Sequence, residues 1–189
     1  MELEIMNKNR IMEATLQEFN ENNFKFTMDN IAKRIGMSKK TIYALFPDKE
    51  TLFLEAVDYF FQMVKESEQL IYENKELDLL AKIEQILIAL PENYANIDWR
   101  QIAILRDRFP TIYAKVEQRL ESGWETTLDL LQQAIKEGRI RPISLPIFKA
   151  IVEASIEHFI GSTTLLVNEI DYQTALHDMV SILIRGIKA

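Results

Sequence analysis

Thr27-Met28-Asp29-Asn30-Ile31-Ala32-Lys33-Arg34-Ile35-Gly36-Met37-Ser38-Lys39-Lys40-Thr41-Ile42-Tyr43-Ala44-Leu45-Phe46-Pro47-Asp48-Lys49 reads as two short helices, a tight turn between them and the start of a third helix. Thr27 suits an N-cap, because its side-chain oxygen can accept an orphan amide of the first turn. Ile31 and Ile35 lie four apart on one face, with Ala32 beside them as a small residue for close crossing. Gly36 tolerates the positive φ that the turn needs. Ser38 caps a second helix whose apolar positions are Ile42, Leu45 and Phe46. Pro47 stops that helix and Asp48 caps the next. Two short helices about a Gly-containing turn form a helix-turn-helix. Its second helix, led by Ser38, Lys39, Lys40 and Thr41, is shaped for the DNA major groove.

A helical hairpin with a solvated basic end would share the same apolar spacing, and charge argues against it. Between Lys25 and Lys49 stand six cations (Lys25, Lys33, Arg34, Lys39, Lys40, Lys49) and two acids (Asp29, Asp48), a local balance of +4 in a chain of formal net charge −7. A positive island on an acidic protein is what a phosphate-binding face requires, since background repulsion from DNA must be overcome locally.

The quoted stretch, with Phe26 before it and Glu50-Thr51-Leu52-Phe53 after it, resembles the signature of TetR-family transcriptional regulators over about the first quarter of the chain. The resemblance implies a two-domain, all-helical homodimer: an N-terminal three-helix DNA-binding domain over residues 1–50, and a C-terminal helical domain over 51–189 that binds an effector and dimerises. It implies that Thr27 caps the second helix and touches phosphate. It places Ser38, Lys39, Lys40 and Thr41 at the start of the recognition helix, against base edges and backbone. Tyr43 matches the family aromatic whose hydroxyl reaches a phosphate. Lys49 matches the lysine at the start of the fourth helix, where the N-terminus itself favours an anion. Phe46 matches a core aromatic. Two positions depart from the pattern. Lys40 stands where a small residue or proline is common, and Ala44 where a longer polar or aromatic residue is common.

Composition agrees with this class. The 189 residues are 48% hydrophobic and 27% charged, and five Gly and five Pro leave little material for a turn-rich β fold. With no cysteine, disulfides and thiolate catalysis are excluded and any metal site must do without thiolate. Glu2 and Glu4 stand where a signal peptide needs a basic region. No apolar run approaches the roughly 20 residues that span a bilayer. A cytoplasmic protein without membrane partners is expected.

Helical periodicity continues to the end of the chain. The pattern predicts a first helix over about 7–22, with Ile11, Met12, Ala14, Leu16 and Phe19 facing inward, and a long fourth helix after Asp48. Further helices are predicted over about 76–90, 92–106, 110 to near Gly138, 145–168 and 172–187, with Pro91, Pro110, Gly138 and Pro142 as joints.

Enzyme chemistry has little support, and no cofactor is implied. The two histidines, His158 and His177, lack metal-ligand spacing, and the five glycines form no phosphate loop. Glu153 and Glu157 share a helical face beside His158; solvated or interface-paired carboxylates account for them better than acid–base work.

On the penultimate helix Ala154, His158, Gly161 and Leu165 make a stripe with small residues for close approach. On the last helix Leu176, Met179, Val180, Leu183 and Ile187 make an apolar one. Two such helices from each of two chains would build a four-helix bundle on a two-fold axis. Phe60, Val64, Leu87, Leu105, Trp124, Leu128 and Phe159 could line a site for an apolar small-molecule effector, with Trp99, Arg106, Tyr113 and His158 as polar contacts; ordinary core packing explains the same spacing. The leading reading is a dimeric repressor that binds a double-stranded operator under effector control. The alternatives are a helical protein-interaction module without specific DNA binding and, behind it, a helical enzyme.

Overall fold

The computed structural model describes residues 2–91, 94 and 100–189. Eleven α-helices carry the described residues: α1 (Glu2–Asn22), α2 (Met28–Ile35), α3 (Lys39–Leu45), α4 (Lys49–Glu73), α5 (Leu79–Leu87), α6 (Arg100–Arg108), α7 (Pro110–Leu120), α8 (Glu125–Lys136), α9 (Leu145–Gly161), α10 (Thr164–Val167) and α11 (Tyr172–Ile187). A 3₁₀ turn over Asn23–Lys25 follows α1, and no strand occurs among the described residues; Ile140 and Lys188 form one isolated bridge. The fold class is all-α.

Five of the helices start on a side-chain oxygen that accepts an amide three residues on. Thr27 accepts from Asn30, Ser38 from Thr41, Asp48 from Thr51, Asp78 from Ala81 and Asp171 from Thr174. Each bond satisfies one of the amides that a first helical turn leaves unpaired. At Thr27 the bond is reciprocal, since the Asn30 side chain takes the Thr27 amide at 2.9 Å.

The chain divides into two compact units. The first comprises Met1–Gln62 with Ile104–Glu117. Its core holds Ile11, Phe19, Phe26, Ile31, Ile42, Phe46, Leu52 and Phe53, all nearly inaccessible. Phe24 packs on Phe26, Phe53 and Phe109 with ring centroids 5.7, 5.2 and 3.8 Å apart, so the turn after α1 is anchored by aromatic contact. Arg34 binds Glu18 (2.6 Å) and Glu21, which ties α2 to α1.

The second unit comprises Met63–Ala103 with Gln118–Ala189. Ile83 and Ile86 of α5, Leu130, Leu131 and Ala134 of α8, Phe148 and Val152 of α9, and Leu176, Val180 and Ile184 of α11 form its core. Gly138 ends α8 in the left-handed region (φ 67°), the usual way to satisfy last-turn carbonyls. The chain then returns beside its end: the Arg141 amide donates to the Ile187 carbonyl at 2.8 Å. No helix among the described residues is long and apolar enough to cross a membrane.

Several helix limits differ from the sequence pattern. The helix predicted from Pro110 to Gly138 is two, α7 and α8. Gly123 stands at φ 76° between them, and a Cβ there would meet Lys65. Lys65 Nζ donates to the Gly123 carbonyl at 2.5 Å, and Lys149 Nζ to the Glu121 carbonyl at 2.9 Å, so lysines of α4 and α9 hold this turn. The helix predicted through Asn168 stops at Gly161, because Ser162 leaves the helical region (ψ 166°) and its hydroxyl takes the Thr164 amide. α5 is shorter than 76–90, since Asp78 supplies its cap. α1 begins earlier, at Glu2. Of the helix expected over 92–106, residues 92, 93 and 95–99 lie outside the described residues, and Arg100–Arg108 is helical. α11 has the predicted limits.

Candidate nucleic-acid interface

The turn between α2 and α3 is set by backbone chemistry. Gly36 adopts φ 66° and ψ 31°, and the Met37 amide returns to the Ala32 carbonyl at 3.0 Å. Ser38 then opens α3 from extended backbone, its oxygen accepting the Thr41 amide at 3.1 Å and meeting the Thr41 hydroxyl at 2.9 Å. Ile42 and Phe46 are fully buried. The opposite face of α3 therefore presents Lys39, Lys40 and Tyr43, which lie three and four apart and stand exposed.

Of the residues predicted to meet DNA, the structure brings Ser38, Lys39, Lys40, Thr41 and Tyr43 together on the first turns of α3. Thr27 begins α2, and its hydroxyl lies 2.5 Å from Asn30 Oδ1. The hydroxyls of Ser38 and Thr41 are engaged in the cap. Among the described residues the side chains of Lys40 and Tyr43 have no hydrogen-bond or ion-pair partner, and Tyr43 is 49% exposed.

Lys49 has a different environment from the one the resemblance implies. Its ammonium donates to the carbonyls of Phe24 (2.5 Å) and Phe26 (2.7 Å) and lies 4.1 Å from both ring centroids. Partial burial lowers its pKa from the ordinary lysine value. The ammonium is thus engaged by the turn before α2.

The local balance of +4 also changes once the partners are in place. Glu18 and Glu21 of α1 neutralise Arg34. Asp29 binds Lys39 at 3.0 Å and Lys33 at 3.6 Å. Lys25 and Lys40 remain as the cations of the motif without a partner among the described residues. Counting charge along a segment missed this, because Glu18 and Glu21 precede the segment and the Lys49 acceptors are backbone oxygens.

The residues proposed for an effector fall in different surroundings. Phe60 and Leu105 are buried in the first unit. Val64, Leu87, Trp124, Leu128 and Phe159 are partly buried in the second; Leu87, Trp124 and Phe159 pack on its core. The indole nitrogen of Trp124 already donates to the Leu120 carbonyl at 3.0 Å. Of the expected polar contacts, Arg106 binds the Tyr113 hydroxyl at 2.6 Å, His158 meets Thr164 at 3.0 Å, and Trp99 lies outside the described residues.

The predicted interface stripe is only partly on one face. Ala154 and His158 are exposed on α9 and Gly161 is half-buried, but Leu165 belongs to α10 and is buried. Met179 is buried and Leu183 partly buried within the core of their own unit. Sequence reading missed the outward members, Ile147 (61% exposed), Ile151 (45%) and, on α11, Ile182 (70%). The signal was present: Ile147, Ile151, Ala154 and His158 follow one another at four, three and four residues.

Comparison with known proteins agrees with this geometry. Residues 11–56 match the model of bacterial regulatory proteins of the tetR family. The HTH-type transcriptional regulator YvaF of Bacillus subtilis is 28% identical over 180 residues, covering 95% of each chain. A TetR-family regulator from Rhodococcus sp. has a similar fold (TM-score 0.70, 14% identity, 96% of this chain and 98% of that one). So does a fatty acid degradation regulator from Bacillus halodurans (TM-score 0.67, 19% identity, 95% and 94%). The capped helix-turn-helix, with Lys40 and Tyr43 exposed on α3, lies within residues 11–56, the segment that is similar to bacterial regulatory proteins of the tetR family.

Proposed function

We propose that the chain is a non-enzymatic, cytoplasmic repressor that binds a double-stranded DNA operator as a homodimer under the control of an apolar small molecule. The observation that carries the reading is the outward face of α3: Lys40 and Tyr43 stand exposed, without a partner among the described residues, on a helix whose start is fixed by Ser38. N-terminal residues of such a helix meet base edges, while hydroxyl and ammonium groups beside them position the phosphates.

Homodimerisation through α9 and α11 is supported by the exposed line Ile147, Ile151, Ala154 and His158, with Ile182 on α11. Exposed apolar side chains in such a line mark an association surface. A two-fold pair would present two α3 helices to half-sites about one helical turn apart, roughly 34 Å. The effector would enter the second unit near Val64, Leu87, Trp124, Leu128 and Phe159. Residues 1–50 would carry DNA recognition and 51–189 the effector and partner contacts.

Enrichment of random duplex DNA on the purified protein tests the reading. The expected product is a two-fold-related pair of half-sites, bound with an affinity that falls steeply with salt. Recovery of no preferred sequence would overturn specific DNA binding and favour the protein-interaction module.

A further inference from the structure

Lys39 and Lys40 are adjacent on α3, yet their ammonium groups have opposite circumstances. Lys40 is unpaired among the described residues, whereas Lys39 Nζ lies 3.0 Å from Asp29 Oδ1, across the turn on α2. Lys33, one helical turn along α2, approaches the other oxygen of the same carboxylate at 3.6 Å. The side chains of Lys39 and Asp29 are about half exposed, so this pair is made in competition with water and with any incoming phosphate. The hydrogen bond from Lys39 is the leading cause that holds the Asp29 carboxyl below its ordinary range. Capping explains neither contact, since Thr27 and Asn30 already complete the start of α2.

We propose that Asp29 is a positioning residue for operator selectivity: it holds Lys39 back against α2, leaving Lys40 and Tyr43 to meet DNA. The inference rests on the DNA-binding reading above. A free ammonium at the tip of a recognition helix finds a phosphate on any duplex in any register, and so raises affinity without regard to sequence. With Asp29 present, each such contact requires an ion pair to be broken first. Side chains that read base edges are untouched by that cost. The carboxylate thus lowers binding to random DNA more than binding to the operator.

The test is a four-member cycle: the unaltered protein, Asp29→Asn, Lys39→Ala and the double variant. Each is titrated with a random-sequence duplex pool and with the sequence enriched from that pool, at several salt concentrations. Asp29→Asn keeps the size of the side chain, and circular dichroism checks that α2 is retained. Asp29→Asn should tighten binding to the random pool by roughly two- to fivefold per half-site, the range an exposed ion pair commands. The salt slope for the pool should steepen by about 0.9 per half-site, one added phosphate contact. Affinity for the enriched sequence should rise less, so the ratio of the two affinities falls. In the Lys39→Ala background the Asp29→Asn change should leave the ratio where it was. An unchanged ratio in the single variant overturns the proposal. So does a fall that persists without Lys39, which would assign the effect to Lys33 or to the loss of one negative charge. If the unaltered protein prefers no sequence in the pool, the DNA-binding reading itself fails, a result distinct from both.

Discussion

The side-chain ammonium of Lys49 donates to the carbonyl oxygen of Phe26 at 2.7 Å, one residue before the N-cap of α2. With the second bond to Phe24 and the two aromatic faces, the contact fastens the start of α4 to the turn that launches the helix-turn-helix. Hydrogen bonds to charged groups contribute about 1.5–3 kcal/mol, and cation–π contacts add to that. Lys49→Ala should therefore destabilise the fold by about 1–3 kcal/mol and leave the salt slope of DNA binding unchanged. Lys40→Ala should lower that slope by about one per half-site at little cost in stability. Urea denaturation and salt titration of the two variants separate these roles; a lowered slope in a well-folded Lys49 variant would return Lys49 to the phosphate backbone.

Gly36 and Gly123 both occupy the left-handed region, but their surroundings differ. A Cβ at Gly36 meets nothing within 4 Å, so Gly36→Ala carries only backbone strain, about 1–2 kcal/mol. A Cβ at Gly123 would approach Lys65 Cε to 2.5 Å and disturb a lysine bonded to the Gly123 carbonyl. Gly123→Ala should cost more than Gly36→Ala in the midpoint of denaturation, and equal losses would contradict this account.

The helix-turn-helix was largely legible in the sequence, while the middle of the chain was less so. Thr27, Gly36, Ser38, Pro47 and Asp48 each specify a local backbone state within three or four residues, and a linear reading captures such signals. The break at Gly123 depends on lysines far away in sequence. The end of α9 depends on Ser162, whose hydroxyl competes with the helix only once the chain has turned. The charge of the recognition face had the same limit, since Glu18 and Glu21 reach Arg34 from another helix.

Glu68 bears on the acid response of the second unit. Burial raises its carboxyl pKa above the ordinary 4.5, against the opposing effect of Lys65. A group whose folded pKa is raised binds more protons when folded, so its contribution to stability falls as pH rises through that window and recovers on acidification. Glu68→Gln should flatten the stability profile from pH 4.5 upward to the raised value. Thermal midpoints across that range check the slope; an unaltered profile would show that Glu68 titrates as an exposed acid.

Asp48 and Asp171 should act in the opposite sense. Hydrogen bonds from Thr51 and Thr174 lower their pKa values below the ordinary 3.8. Their stabilising effect is full above that value and is lost as pH falls toward the lowered one. The double Asp48→Asn, Asp171→Asn variant should lose less helical ellipticity than the unaltered chain on titration below pH 3.8. An identical acid transition in both would remove these caps from the pH response.

A charge on the outward face of α9 should divide the proposed dimer. Ile151→Glu places a carboxylate in the centre of the Ile147–His158 line, where pairing with a second copy would strip its hydration. Light scattering should report a monomer, and affinity for an operator with two half-sites should fall because the sites are no longer engaged together. Ile182→Glu should do the same from α11. A dimer retained in both variants would place the association surface elsewhere.

The five oxygen caps have one more consequence, for insertions. A residue added to the loop at 74–76 displaces everything after it in sequence by one position. The facing of α5 is nevertheless set afresh at Asp78, because its bond to Ala81 spans only three residues and starts the helix wherever that pair is found. Thr27, Ser38, Asp48 and Asp171 do the same for their own helices. The caps are punctuation that restarts the helical phase, so a change of loop length is absorbed before the next apolar face begins.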